Sequence, residues 1–249
     1  MVVLKTVTEL QTMQHACKIS AQALKLAGEA VKPGVTTADI NALVHDFILS
    51  QGAKPSFYGY HGYPASACIS VNNEIIHGIP SKNTVLKNGD IVSIDIGASI
   101  DGFHGDNAHT FGTGVISDEA KKLLEVTEQS LYKAISAAIA GARIGDIAFA
   151  VQSHVEENGF SVVRDYVGHG VGRNLHEDPE VPNFGKAGRG MRLLPGMTLA
   201  IEPMVNAGDY AVRQLNDGWT VVTADNSLSA HFEHTIAITT AGPLIMTKP

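Results

Sequence analysis

The chain has 249 residues, 44% of them apolar and 17% charged, with a formal net charge of −7, so it can bury a core of ordinary size. No basic run exceeds two residues, which excludes a nucleic-acid groove, and no stretch approaches the ~20 apolar residues that a membrane span needs. Two cysteines, Cys17 and Cys68, make no disulfide framework, and the opening M-V-V-L-K-T-V-T-E-L-Q lacks the regions of a signal peptide; both features predict a cytoplasmic protein.

In chain order, residues 8 to 31 carry apolar or small side chains at 10, 13, 17, 20, 24, 27 and 31, a helical stripe that ends before Pro33-Gly34. A second helix follows with Thr37 as its cap, and Ile40, Leu43, Val44, Phe47 and Ile48 form its apolar face up to Gly52. Residues 53 to 90 are rich in Gly, Pro and Asn around a short strand A-C-I-S-V. The stretch I-V-S-I-D-I-G-A-S-I-D-G-F-H-G-D (91 to 106) reads as a core strand and a turn. A helix pair follows at about 118 to 140 and 145 to 158, and the remainder is mostly strands, notably M-T-L-A-I-E-P-M-V and H-F-E-H-T-I-A-I-T.

Helix pair and strand therefore occur twice. A shift of 107 residues puts Gly34 on Gly141, Asp39 on Asp146, Ile40 on Ile147, Val44 on Val151, Gly52 on Gly159, Gly89 on Gly196, and Asp95 on Glu202. The pattern predicts an α+β fold of one domain, 1–249, with an internal repeat at about 8–110 and 115–240. Its halves pack with approximate twofold symmetry and leave a cleft at the join.

Within the hairpin, Asp101-Gly102 is a favoured two-residue turn. It pairs Ile100 with Phe103 and sets Gly97 opposite Asp106, so Asp95 and Asp106 lie on one face as diagonal neighbours. Two carboxylates so placed repel, and burial aggravates this; either one is protonated or a cation sits between them. Glu202 in L-A-I-E-P-M and Glu233 in H-F-E-H-T-I-A-I repeat the situation in the second half. His169, between glycines in Y-V-G-H-G-V-G-R-N-L-H, adds an imidazole brought close by a sharply turning backbone, and His176 follows seven residues on. A carboxylate-dominated set with one imidazole suits Mn²⁺, Fe²⁺ or Co²⁺ rather than a structural zinc, and fits a two-metal site ~3.5–4 Å across that activates water.

With these residues in place, the chain resembles the type I methionine aminopeptidases, the short bacterial form within the pita-bread metallopeptidases, over essentially its whole length. The resemblance rests on the ordered positions Asp95, Asp106, His169, Glu202 and Glu233, on Y-V-G-H-G-V-G-R-N-L-H, and on Y-H-G-Y-P, I-H-G-I-P and D-G-W-T. It implies a pita-bread fold around a central antiparallel sheet. It also implies a cytoplasmic monomer that removes the initiator methionine from nascent polypeptides when the second residue is small, with a transient ribosome contact. The cofactor implied is a pair of divalent ions, among Co²⁺, Mn²⁺, Fe²⁺ and Zn²⁺, activating the water that attacks the methionine carbonyl. By the same resemblance, Asp95 chelates one ion, Asp106 and Glu233 bridge both, and His169 and Glu202 bind the other. Glu202 would shuttle the proton, His176 would hydrogen-bond the scissile carbonyl or oxyanion, and His77 would position the substrate backbone. Tyr60, Tyr63, Cys68 and Trp219 match the apolar methionine pocket.

Two positions depart from the pattern: Leu175 stands where bacterial relatives often carry phenylalanine, and Phe57 where a small residue is common. Both reshape the pocket and spare the ligands. His109 has no assigned role. Proline-specific relatives usually bear a long N-terminal domain, and Y-H-G-Y-P favours methionine. Relatives that only bind have lost metal carboxylates or histidines, whereas all seven such positions are present here.

Overall fold

In the computed structural model, which describes residues 2–248, the first two helices begin where a side chain satisfies their free N–H groups. Helix α1 (Val7–Ala30) starts at Thr6, whose hydroxyl accepts from the Glu9 N–H while the Glu9 carboxylate accepts from the Thr6 N–H. Helix α2 (Thr37–Ser50) starts in the same way at Thr36, paired with Asp39. The cap is therefore Thr36, one residue ahead of the expected Thr37. The reciprocal bond spans three residues, and the buried Thr37 hydroxyl instead donates to the Ser81 carbonyl.

The first half continues through β1 (Lys54–Pro55), β2 (Ala67–Val71), β3 (Glu74–Ile76) and the hairpin β4 (Ile91–Ile100) and β5 (Phe103–Gly112). The second holds α3 (Asp118–Ala137), α4 (Ile144–Glu157), β6 (Ser161–Val162), β7 (Gly168–Gly170), β8 (Glu177–Val181), β9 (Thr198–Ile201), β10 (Met204–Asn206), β11 (Val212–Gln214), β12 (Val221–Thr223), β13 (Ser229–His231), β14 (His234–Thr239) and β15 (Gly242–Ile245). Asp101 and Gly102 both take positive φ, 55° and 77°, as the tight hairpin turn requires. The register is the expected one: Ile100 faces Phe103, Gly97 faces Asp106, and Asp95 faces Ala108.

Two main cores form, one per half. In the first, Ile40, Val44 and Ile48 of α2 pack on Ile69, Val92, Ile94 and Ile96. In the second, Ile147, Val151 and Val155 of α4 pack on Leu199, Ile201, Ile236 and Ile238. The halves repeat one another in detail. The 14-residue helices α2 and α4, the short strands β1 and β6, and the starts of β4 and β9 all lie 107 residues apart. So do two isolated bridges, Thr36 with Val85 and Arg143 with Arg192. The glycines at 34 and 141 have φ of 92° and 93°, and those at 89 and 196 have 98° and 92°.

The halves meet along a seam between β5 and the strand entering β14. Glu233 N–H donates to the Ala108 carbonyl at 2.9 Å, and the Thr235 hydroxyl donates to the Asp106 carbonyl at 2.7 Å. These bonds join the four strands around β4 to the five-stranded order β15-β14-β9-β7-β8, making one central antiparallel surface. The helices cover its outside. Its inside is left for a site.

Candidate active site

Every expected ligand position lies on a strand or next to one, where backbone pairing limits its freedom. Asp95 lies on β4, Asp106 on β5 and His169 on β7; Glu202 follows β9, and Glu233 lies between β13 and β14. The seam brings Asp106 and Glu233 together from the two halves. His169 Nε2 lies 3.8 Å from Asp106 Oδ2 and 3.6 Å from Glu202 Oε1. One ligand atom from each of Asp106, His169 and Glu233 falls within a span of 4.8 Å.

The glycines beside His169 serve a purpose other than the sharp turn expected of them. Neither has positive φ; a Cβ on Gly168 would lie 2.4 Å from the Ala200 carbonyl oxygen, and one on Gly170 would lie 2.2 Å from that of Asp178. They let β7 press between β8 and β9, which carries the His169 ring to the seam. Gly97 is small for a related reason: a Cβ there would meet Phe57 Cε1 at 2.8 Å, so the Phe57 ring occupies that space beside the two aspartates.

The carboxylates are deeply enclosed and short of partners. Among the described residues, Asp95 Oδ1, Asp106 Oδ1 and Glu233 Oε1 are buried atoms without a hydrogen-bond donor. Burial pushes the Asp95 carboxyl well above the carboxylate range, and the charges of Asp106 and Glu202 push it further. Burial first, then Glu202, does the same to Asp106; burial, then Asp106, Asp95 and Glu202, raises Glu233. Burial alone lifts Glu202 to about 8. His169 is driven down to about 3 by burial and then by His176, so its ring is neutral and free to act as a ligand. Four acids that cannot all ionise unaided, three with orphaned oxygens, fit a divalent cation: its charge removes the mutual repulsion and its coordination satisfies the orphans.

All the singled-out residues come together. A pocket of about 260 Å³ is lined by the five ligand positions, by Phe57, Tyr60, Tyr63, Cys68, Leu175 and Trp219, and by His77 and His176. Its apolar end is a packed cluster in which the rings of Tyr63 and Trp219 meet edge to face at 5.1 Å. The Tyr63 hydroxyl is turned away, donating to the Gly78 carbonyl at 2.8 Å. Cys68 is buried, and the same burial raises its thiol well above the ordinary range, keeping it protonated. His176 stands exposed at the rim, with Nδ1 at 2.8 Å from the Tyr60 hydroxyl. His77 holds a left-handed backbone, φ 60°, which costs a non-glycine residue about 1–3 kcal/mol and is found mainly at functional sites. His109 is packed between the rings of Phe111 and Phe232, 4.5 Å from each, away from the pocket. The sequence reading passed over His231, whose fully enclosed ring reaches Glu202. It sits two residues before Glu233, just ahead of the break between β13 and β14.

A two-half fold with a buried carboxylate–imidazole set on its join, lining a pocket with one apolar end, is the arrangement of a metallopeptidase. The profile of metallopeptidase family M24 matches residues 11–240, and the chain belongs to that family. It is 56% identical over 247 residues to a methionine aminopeptidase of Clostridium perfringens, covering 99% of each chain. It is 54% identical to methionine aminopeptidase 1 of Bacillus subtilis over all of both chains. Among solved structures, the methionine aminopeptidase of Thermotoga maritima superposes with a TM-score of 0.99 over the whole of both chains at 48% identity.

Proposed function

We infer that the chain is a methionine aminopeptidase, a metal-dependent hydrolase that releases an N-terminal methionine from polypeptides. The observation that carries this reading is that a single pocket is lined both by the buried carboxylates and His169 and by the apolar cluster of Phe57, Tyr63, Cys68, Leu175 and Trp219. Asp95, Asp106, His169, Glu202 and Glu233 would hold two divalent ions. When bound, these supply Lewis-acid polarisation of the scissile carbonyl and water acidified toward a pKa of ~7.

The chain's own groups do the rest. Phe57, Tyr63, Cys68, Leu175 and Trp219 enclose the methionine side chain and exclude water, recognising a thioether by packing rather than charge. Glu202 accepts the proton released by the attacking water and delivers it to the departing amine nitrogen. His176, through Nε2–H, donates to the carbonyl oxygen as negative charge grows there, which favours the transition state over the substrate. His77 orients the substrate backbone beside the reacting carbon. The rim is crowded by the rings of Tyr60, His61, His77 and His176, which supports a preference for a small second residue.

The repeat boundaries at about 8–110 and 115–240, a monomeric state and nascent chains met at the ribosome in the cytoplasm belong to the same reading. The cytoplasmic setting fits the free thiols of Cys17 and Cys68. Among the described residues, no helix is long and apolar enough to cross a membrane. The decisive experiment follows cleavage of Met-Ala-Ser before and after chelation. Activity should vanish and return with Mn²⁺ or Co²⁺. An unchanged rate after chelation would refute the metal requirement, and preference for X-Pro peptides over Met-Ala peptides would move the protein to the proline-specific group.

A further inference from the structure

His231 ends strand β13 and is 1% exposed. Its backbone is fixed on both sides: its N–H donates to the Thr110 hydroxyl at 2.8 Å, and its carbonyl accepts from that hydroxyl at 2.9 Å. Across β10 it faces Met204, which is apolar and fully buried. Among the described residues, neither ring nitrogen has a hydrogen-bond partner. A buried imidazole left in that state costs about 1–3 kcal/mol per unsatisfied group, so such rings are retained where they serve something. The acceptor this ring meets is Oε2 of Glu202, 3.5 Å from Nε2. The other oxygen of the same carboxylate, Oε1, faces His169. Glu202 thus stands between two imidazoles, one per oxygen, and only His169 is a ligand position.

We propose that His231 is a positioning residue for Glu202: its Nε2–H donates to Oε2 and so turns Oε1 toward the ion site and the reacting atoms. An approach of roughly 0.5 Å brings the pair from its present separation of 3.5 Å to an ordinary N–H···O length. The inference rests on the metallopeptidase reading and adds to it an orienting partner outside the set of ligands. A carboxylate without such a partner can rotate about its last torsion, and it then presents either oxygen to the ion in a poorer direction. Partners of this kind typically contribute about 10–100-fold to metal affinity or activity.

The test is a Mn²⁺ titration of the metal-free protein read by the paramagnetic signal of free Mn²⁺, with kcat and KM for Met-Ala-Ser measured in parallel. Glutamine keeps a donor at similar reach, asparagine keeps polarity but falls short, and leucine removes the donor. His231→Leu and His231→Asn should bind Mn²⁺ about tenfold or more weakly and lose kcat rather than KM, while His231→Gln stays near the unaltered protein. If His231→Leu does not fold, the contrast between Asn and Gln carries the result. Unaltered affinity in the Leu and Asn variants, or a Gln variant as weak as they are, overturns the proposal. Failure of the unaltered protein to take up Mn²⁺ would instead sink the metallopeptidase reading, and this inference with it.

Discussion

Each histidine in the pocket is set for its task by its neighbours. Desolvation, then the charges of His61 and His104, keeps the pKa of His176 below the ordinary imidazole value, so the ring is neutral near pH 7. A neutral imidazole carries one proton, and the Tyr60 phenol at 2.8 Å from Nδ1 decides where it sits. With the phenol donating to Nδ1, the proton stays on Nε2, the nitrogen that must face the oxyanion. Tyr60→Phe keeps the ring and loses the donor; it should lower kcat for Met-Ala-Ser about tenfold, the worth of one hydrogen bond, with KM nearly unchanged. His176→Ala should lower kcat by about 10²–10³ at near-normal metal content. Metal loss from that variant, measured by elemental analysis, would contradict its place outside the ligand set. At this scale the sequence was highly legible, because buried acids on apolar strands are rare enough to stand out. His231 was less so, since one histidine on a strand looks like any other until its ring is seen against Glu202.

Among the elements, the loop between β7 and β8 matters most, because it carries Leu175 and His176. Lys5, just ahead of α1, reaches that loop and pairs with Glu177 at 2.5 Å in a nearly dry setting. The second oxygen of Glu177 accepts from the Asn174 N–H at 3.1 Å. The approach is so close that a Cβ on Gly172 would lie 2.5 Å from Lys5 Cε. The N-terminal segment thus clamps the residue next to His176. Lys5→Met leaves Glu177 without its cationic partner in this enclosed setting, and should lower the stability measured by urea unfolding by about 3–5 kcal/mol. It should also lower kcat more than KM, with Lys5→Arg restoring much of both; equal stability in Lys5→Met would remove the clamp from the account. Nothing in the sequence marked this pair, because 172 residues separate its members. Helices, by contrast, were read to within a few residues, and the one-residue error at Thr36 arose because two adjacent threonines offer the same chemistry.

Across the whole molecule, the seam between the halves concentrates four acids in one small volume, and this governs stability. In the metal-free protein the carboxyls of Asp95, Asp106, Glu202 and Glu233 titrate above their unfolded values. The folded state then binds more protons than the unfolded one between about pH 4.5, the unperturbed value for Glu202, and about 8, its folded value. The contribution of these acids to stability is therefore full below that window and is lost as pH rises through it; above about pH 6.5, where the buried histidines are neutral in both states, it sets the slope. With Mn²⁺ in excess the slope should reverse, because the ion binds the deprotonated ligands and stabilises only the folded chain. Urea midpoints at pH 7 and 8, with and without Mn²⁺, test this; the same slope in both series would mean that these acids are not the ligands.

The sequence by itself determined the repeat and the hairpin register, and singled out the acids and histidines that the fold gathers in one pocket, because each shows in local spacing: period two in strands, turn chemistry at Asp101-Gly102, and a constant 107-residue offset. Tertiary structure alone decided which oxygen faces which imidazole, why the glycines flank His169, and that Lys5 and His231 reach the site. Those facts depend on how closely two sheets and a terminal segment approach, and close approach comes from packing between distant parts of the chain, which no local pattern records.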